Sequence, residues 1–357
     1  MKIIRGLNKL KSNSVLKENN FNVSVIIPFR NESETIIENL RCLENQNYPI
    51  DKFEVIYIDD GSTDDSLEKL KRSISKNNIS VYSVEATDYD RAHKKRAIEL
   101  GIEKAAGDII LFTDADSTNE SGWIKTMMNV FESDTGFVAG PVSFYSKNSF
   151  FGKLQRLEFA GLILSGAGLI GNNTPIICSS ANLAFRKTVF NDVGGYENLL
   201  GLSSGDDELL MQKIAYDTDY KVKFCFNKDA LVKTQANRSI GEFNQQRKRW
   251  ASKSLFYKNK KIVVKLFMIF LFYLSLIAQL LIGLFWDTTF LYTLLISFVA
   301  KVVVEYTIIK KGLGFLYEKI SVVLFLIAEL LHVPYIIYSA IGGAFGNFTW
   351  KGRELKR

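Results

Sequence analysis

The chain has 357 residues, room for one sizeable α/β domain and a further region, and its 47% apolar content with only 5 prolines excludes a disordered chain. Three scattered cysteines, Cys42, Cys178 and Cys225, form no CxxC pair, which argues against a disulfide framework or a zinc site and fits a reducing compartment. The formal charge of +7 gathers beside apolar segments, at Lys253, Lys258, Lys260, Lys261, Lys310, Lys311, Lys351, Arg353, Lys356 and Arg357, which points to a lipid bilayer; no basic stripe interleaved with aromatics speaks for nucleic acid.

Residues 1–20 are basic (Lys2, Arg5, Lys9, Lys11, Lys17) and lack the apolar run of a signal peptide. They read either as a disordered leader or as a short amphipathic helix on the membrane, with Ile3, Ile4, Leu7 and Leu10 on one face. Val23–Ile27 is a β-branched run ending at Pro28, the pattern of a buried parallel strand. Helical spacing follows over 33–46, then a strand over 53–58 stopped by Asp59-Asp60-Gly61, a helix over 64–76 and a strand over 79–84. A helix over 91–106 leads to a fourth strand at 108–112, stopped by Thr113-Asp114-Ala115-Asp116. This alternation predicts a parallel α/β sheet, whose ligands bind at the carboxyl ends of the strands, where the acidic residues fall.

Short strands are expected near 137–142 and 182–186. The glycine-rich apolar stretch Leu157–Gly171 is too short to span a bilayer and reads as core or as an interfacial helix. Residues 240–261 read as helical and basic. Three long apolar segments follow: 266–286 without a charge; 288–309, where Lys301 and Glu305 stand one turn apart and can pair; and 320–345, interrupted by Glu329, His332 and Pro334 and expected to be re-entrant or interfacial. His332 and His93, the two histidines, read as surface or packing residues.

Four constellations carry chemistry. Pro28-Phe-Arg-Asn-Glu32 and Asp59-Asp60-Gly61-Ser62-Thr63-Asp64 each read as turn chemistry alone, but paired at consecutive strand ends they suit a nucleoside, with Asp60 accepting from a base or ribose. Asp114 and Asp116, at i and i+2 past a strand, can reach one hard cation with oxygen ligands only. Gly205-Asp206-Asp207-Glu208 reads as a helix N-terminus or as the seat of a general base. Gln246-Arg247-Lys248-Arg249-Trp250 reads as a basic interfacial helix, or as a phosphate clamp (Arg249) beside a stacking platform (Trp250).

Together with Phe112-Thr-Asp-Ala-Asp116 and Ala181-Asn-Leu-Ala-Phe-Arg186, these motifs stand in the order found in family 2 glycosyltransferases of the GT-A fold, and the chain resembles that family over about residues 21–250. The resemblance implies an inverting enzyme that uses a nucleotide diphosphate sugar and a divalent metal, Mn²⁺ or Mg²⁺. It implies that Pro28, Arg30, Glu32 and Asp60 line the nucleoside pocket, with Lys94 near the donor and His93 standing where the family has Gly. Asp116 and Asp114 would hold the metal, Asp114 and Asp206 would face the donor, and Asn182 would touch the donor sugar. Asp207 would be the catalytic base, and Gln246, Arg249 and Trp250 match the QxxRW motif of the acceptor side. The tail Trp350-Lys-Gly-Arg353 resembles that of lipid-modifying members such as ceramide and carotenoid glycosyltransferases.

The expected architecture is therefore α/β: a basic leader (1–20), a GT-A domain with a Rossmann-like, mostly parallel sheet (21–240), basic interfacial helices (241–261), a membrane region of two or three helices (262–345) and a basic cytoplasmic tail (346–357). The expected activity is transfer of a single hexose from a UDP-sugar to a membrane lipid or lipid-linked acceptor, at the inner cell membrane with the catalytic domain cytoplasmic. A processive polysaccharide synthase and a non-enzymatic membrane protein with a degenerate nucleotide-binding domain are the alternatives.

Overall fold

A computed structural model describes residues 2–12, 20–84, 93–145, 149–197, 205–317, 319, 321–346, 348–350 and 353–355. The leader residues 13–19 and the tail residues Lys351, Gly352, Lys356 and Arg357 lie outside the described residues. By internal contacts the chain divides into two units, Met1–Tyr145 with Leu162–Ala236, and Ser146–Gly161 with Asn237–Arg357.

In the first unit, strand and helix alternate as the sequence predicts. Helix α1 (Lys2–Ser12) precedes β1 (Val23–Phe29), α2 (Ile36–Glu44), β2 (Phe53–Asp59), α3 (Ser66–Ser73), β3 (Ile79–Ser83), α4 (His93–Lys104) and β4 (Ile109–Phe112). Next come β5 (Thr118–Asn119), α5 (Trp123–Met128), β6 (Thr135–Ala139), β7 (Val142–Phe144) and α6 (Phe150–Ile170), whose residues up to Gly161 belong to the second unit. The first unit continues with β8 (Leu183–Arg186), α7 (Lys187–Asp192), α8 (Glu208–Asp217), β9 (Lys221–Phe224) and β10 (Val232–Thr234).

The main sheet runs β3-β2-β1-β4-β8-β6-β9. Its pairings are parallel except where β8 runs antiparallel between β4 and β6. Both faces of β1 are covered, so all seven of its residues are buried, which is why this strand reads as a continuous apolar run. Val25, Val55, Tyr57, Leu111 and Trp123 are fully buried in one core; each such aliphatic side chain stabilises the fold by about 1.5–3 kcal/mol. Two strand registers bring the functional loops together. Phe29 sits opposite Asp59, so the chain leaves β1 and β2 side by side. Phe112 sits opposite Leu183 in the antiparallel pair, so the residues leaving β4 lie beside those entering β8. A smaller sheet, β5-β10-β7, adds Thr234 next to Phe144.

Residues 2–12 are helical, not a disordered leader, and the apolar face of α1 is turned onto protein: Leu7 is completely buried. Gly6 makes this possible. A Cβ there would stand 1.8 Å from the carbonyl oxygen of Gly168 in α6, so the two helices meet backbone to backbone.

The second unit holds α9 (Ile240–Ser252), α10 (Lys260–Phe285), α11 (Thr289–Lys310) and α12 (Val322–Phe345), and then a hairpin of β11 (Phe348–Trp350) and β12 (Arg353–Leu355). Ser239 caps α9 by accepting from the Glu242 amide at 3.1 Å. A 3-10 turn at Lys253–Phe256 follows α9, and α10 begins with Lys260 and Lys261.

Helices α10, α11 and α12 are each long and apolar enough to cross a membrane, which makes this a membrane protein. The third segment forms α12, a continuous helix of 24 residues through Pro334, about 36 Å at the α-helical rise. The physical reason lies in its polar residues, which pair within the unit and do not break the helix. Glu329 bonds Lys301, and His332 Nδ1 lies 3.3 Å from Glu305. Lys301 and Glu305 pair at 3.2 Å, as their spacing predicts. The backbone group freed by proline is tolerated in such helices.

Candidate active site

The site is assembled from strand ends of the first unit. The loops leaving β1 and β2 are laced together. Asn31, with a left-handed φ of 53°, accepts from the Thr63 amide at 2.8 Å and donates its own amide to Ser62 Oγ at 3.1 Å. The Glu32 amide donates to Ser66 Oγ at 2.7 Å, and the Ser33 amide to Asp64 at 3.2 Å. Arg30 donates to the Asp60 carbonyl at 2.7 Å and to the Gly61 carbonyl, closing the pair of loops. The Asp59 carboxylate accepts from the Ser62 amide at 2.9 Å and so belongs to the turn, and Asp60 is 6% exposed. The Glu32 carboxylate accepts from Thr35 Oγ1 at 3.1 Å.

Lys94, in the first turn of α4, joins three further segments. Its ammonium is 3.0 Å from Asp114 after β4, 3.0 Å from Ser180 Oγ before β8 and 3.4 Å from Asp206 before α8. The antiparallel β4–β8 register is what brings Ser180 beside Asp114. Burial pushes the Lys94 amine down, but the carboxylates of Asp114 and Asp206 outweigh it and hold the group above its ordinary range, fully charged. Pro28, Lys94, Phe112, Asp114, Ser180, Tyr196 and Asp206 line one small pocket.

Asp116 Oδ1 accepts from Thr234 Oγ1 at 3.1 Å, which ties the second carboxylate of the pair to β10. The two carboxylates of Asp114 and Asp116 are hard oxygen ligands of the kind that suits Mg²⁺ or Mn²⁺ better than zinc. Asp207 is the N-cap of α8 and accepts from the Glu208 amide at 2.7 Å. Gly205 precedes it with φ of +88°, a conformation that favours glycine. Tyr196 donates to the Asp206 carbonyl at 2.8 Å, and burial, then the Asp206 and Asp207 charges, hold its phenol protonated well above the usual range.

Asn182 is placed differently from expectation. It is completely buried and its amide braces the interior: Oδ1 accepts from Trp123 Nε1 at 3.0 Å, and Nδ2 donates to the carbonyls of Pro141 at 2.8 Å and Ala230 at 2.7 Å. Ser180, Tyr196 and Thr234 were not singled out from sequence; only the Gly194-Gly195 pair before Tyr196, both at positive φ, marks a special turn. Gln246, Arg249 and Trp250 lie on α9 in the second unit, where the Trp250 ring packs 5.9 Å from Phe159.

Residues 24–194 match the profile of glycosyl transferase family 2. The chain is 30% identical over 205 residues to Glycosyltransferase AglE of Haloferax volcanii, a match covering 57% of this chain and 64% of the relative. It is 27% identical over 239 residues to the poly-beta-1,6-N-acetyl-D-glucosamine synthase of Staphylococcus epidermidis, covering 64% of this chain and 53% of that one. In both cases the match spans less than two thirds of the relative's length. A solved mannosyltransferase of Pyrobaculum calidifontis, in complex with GDP-Man and Mn²⁺, superposes over 96% of this chain and 93% of its own with a TM-score of 0.58 at 18% identity, a likeness of fold.

Proposed function

We propose that this chain, which carries a glycosyl transferase family 2 domain over residues 24–194, is an inverting glycosyltransferase that moves one sugar at a time from a nucleotide diphosphate sugar, a UDP-sugar, to a lipid or lipid-linked acceptor. The observation that carries this reading is Lys94, whose ammonium lies 3.0 Å from Asp114 and 3.4 Å from Asp206 and so joins the metal-type carboxylates to the segment that bears Asp207.

In this mechanism Pro28, Arg30, Glu32 and Asp60 form the nucleoside end of the site, with the Asp60 carboxylate accepting from base or ribose. Lys94 holds Asp114 and Asp206 in register at the donor. Asp207, fixed as a helix cap, takes the proton from the acceptor hydroxyl as it attacks the anomeric carbon from the face opposite the leaving group. Arg249 offsets charge on the leaving diphosphate, and Gln246 and Trp250 orient the acceptor. A divalent cation on Asp116 and Asp114 would supply further neutralisation of that diphosphate. Asn182 supports the site from behind through its bonds to Trp123, Pro141 and Ala230.

The lipid acceptor is supported by chain proximity: a short 3-10 turn separates α9, with its QxxRW motif, from α10, the first membrane-length helix. Nucleotide sugars are cytoplasmic, so the first unit would face the cytoplasm from the inner membrane. The likeness to a polysaccharide synthase favours a second reading, processive synthesis, although three membrane-length helices among the described residues are few to line a polymer channel. The test is to supply UDP- and GDP-sugars to the full chain with a membrane lipid extract, or with soluble sugars and proteins, and to size the products by mass spectrometry. One added sugar on a lipid is the expected product. A long polymer, or efficient transfer to a water-soluble acceptor, would overturn the lipid reading.

A further inference from the structure

The second unit contains a polar network centred on a residue the QxxRW motif leaves unspecified. Arg247 has a side-chain exposure of 3%. Its guanidinium carbon lies 4.3 Å from the ring centroids of both Phe243 and Trp250. Its Nε donates to Glu158 Oε1 at 3.2 Å, one terminal nitrogen bonds Glu158 Oε2, and the other bonds Gln246 Oε1. Glu158, on the part of α6 that belongs to this unit, also accepts from Tyr335 of α12 at 2.8 Å. Gln246 Oε1 accepts in addition from Asn237 at 3.0 Å, and Asn237 is held by Gln155 at 2.9 Å. One buried cation thus touches the first and the last residue of the motif, and an acid and a phenol from two other helices fix that cation.

The seating of α9 on α12 explains why a clasp is needed. At Gly343 a Cβ would stand 2.7 Å from the Ala251 Cβ, so the helices approach closely there. Close approach at small residues sets the distance between helices and leaves the rotation of α9 to side chains. The guanidinium fork onto a carboxylate is planar and directional, and so fixes that rotation. Stability alone is a poor reason to keep such a group, because a buried ion pair is often replaceable by apolar residues at no cost.

We propose that Glu158 and Tyr335, acting through Arg247, are positioning residues that set the orientation of Gln246 and Trp250 for the acceptor. This rests on the reading that these two residues serve the acceptor side. The experiment uses the full chain in lipid nanodiscs, with Glu158→Gln, Tyr335→Phe and Arg247→Lys. Glu158→Gln is expected to raise the apparent KM for the lipid extract and lower kcat, together by about tenfold or more, since small misplacements carry large kinetic penalties. Arg247→Lys keeps the charge but loses the fork and falls between, and Glu158→Asp recovers part of the loss. Amide exchange over residues 240–252 accelerates in Glu158→Gln. A bracing role without positioning would lower the melting temperature and leave the kinetic constants of the folded protein unchanged. That result, or unaltered exchange on α9, overturns the proposal. If the unmodified chain turns over no donor, the transferase reading fails by itself, and unaltered exchange on α9 then refutes the clasp separately.

Discussion

Replacing Lys94 by Met removes the one ammonium shown to touch both Asp114 and Asp206, at 3.0 and 3.4 Å, while keeping most of the side-chain volume. The three side chains are 22%, 32% and 10% exposed, so water screens the pair incompletely. Taking one partner from a buried pair leaves uncompensated charge, at a cost of about 3–5 kcal/mol; partial exposure here puts the expected loss near the lower end, about 3 kcal/mol. At roughly 2–4 °C per kcal/mol for a unit of this size, the melting temperature should fall by about 6–12 °C. The same change unmasks Asp114, so added Mn²⁺ should raise the melting temperature of the variant more than that of the unmodified chain.

The pH dependence has a definite sign. The folded Lys94 amine lies above its ordinary value of 10.5, so its contribution is fully present below that value and is lost only as pH rises beyond it. The melting difference should therefore be flat between about pH 6 and 9. Scanning fluorimetry in detergent, with and without Mn²⁺, measures all of this, and Lys94→Arg should recover part of the stability. A Met variant that melts within about 2 °C of the unmodified chain, or an equal response of both proteins to Mn²⁺, would refute the reasoning, because each doubles as a measure of how much charge Lys94 neutralises.

Asp207→Asn should lower transfer by at least about 100-fold while calorimetry still detects UDP binding; turnover above about a tenth of normal would remove Asp207 as the base. Chelation should abolish transfer, and Mn²⁺ or Mg²⁺ should restore it better than Zn²⁺, because the available ligands are carboxylates; full activity at negligible metal content would remove the metal from the mechanism. Asn182→Leu should act chiefly on stability, since it takes the side-chain partner from the buried Trp123 indole N–H and the Ala230 carbonyl at about 1–3 kcal/mol each, while the Pro141 carbonyl keeps the Val232 amide; a large loss of donor affinity with an unchanged melting temperature would instead return Asn182 to the sugar site.

How much of the fold and site was legible in the sequence depends on the range of the interactions. The strand ends that carry Pro28, Asp60 and Asp114 were readable because a β-branched run stopped by acidic turn residues is a local pattern, and a parallel sheet sends all such ends to one side. The pairing of Lys301 with Glu305 was readable for the same reason, being one turn apart on one helix. Ser180 gave no local sign. It reaches Lys94 only because β8 runs antiparallel to β4, a reversal that apolar patterning cannot distinguish from a parallel pairing.

The bonds of Asn182 were hidden on the same ground. Its neighbourhood is local to the site in sequence order, but its amide bonds lead to Trp123, Pro141 and Ala230, between 41 and 59 residues away, and these settle which way it faces. Glu329 and His332 make the complementary point. Polar residues in an apolar segment signal a break only if they lack partners, and here Lys301 and Glu305 supply them. The same holds at Arg247. A short motif records the residues that face a substrate, and a residue whose partner lies 89 positions upstream, as Glu158 does, looks like a spacer until the helices are packed. A spacer position that turns out buried and charged therefore says more about how α9 is held than the motif residues say themselves.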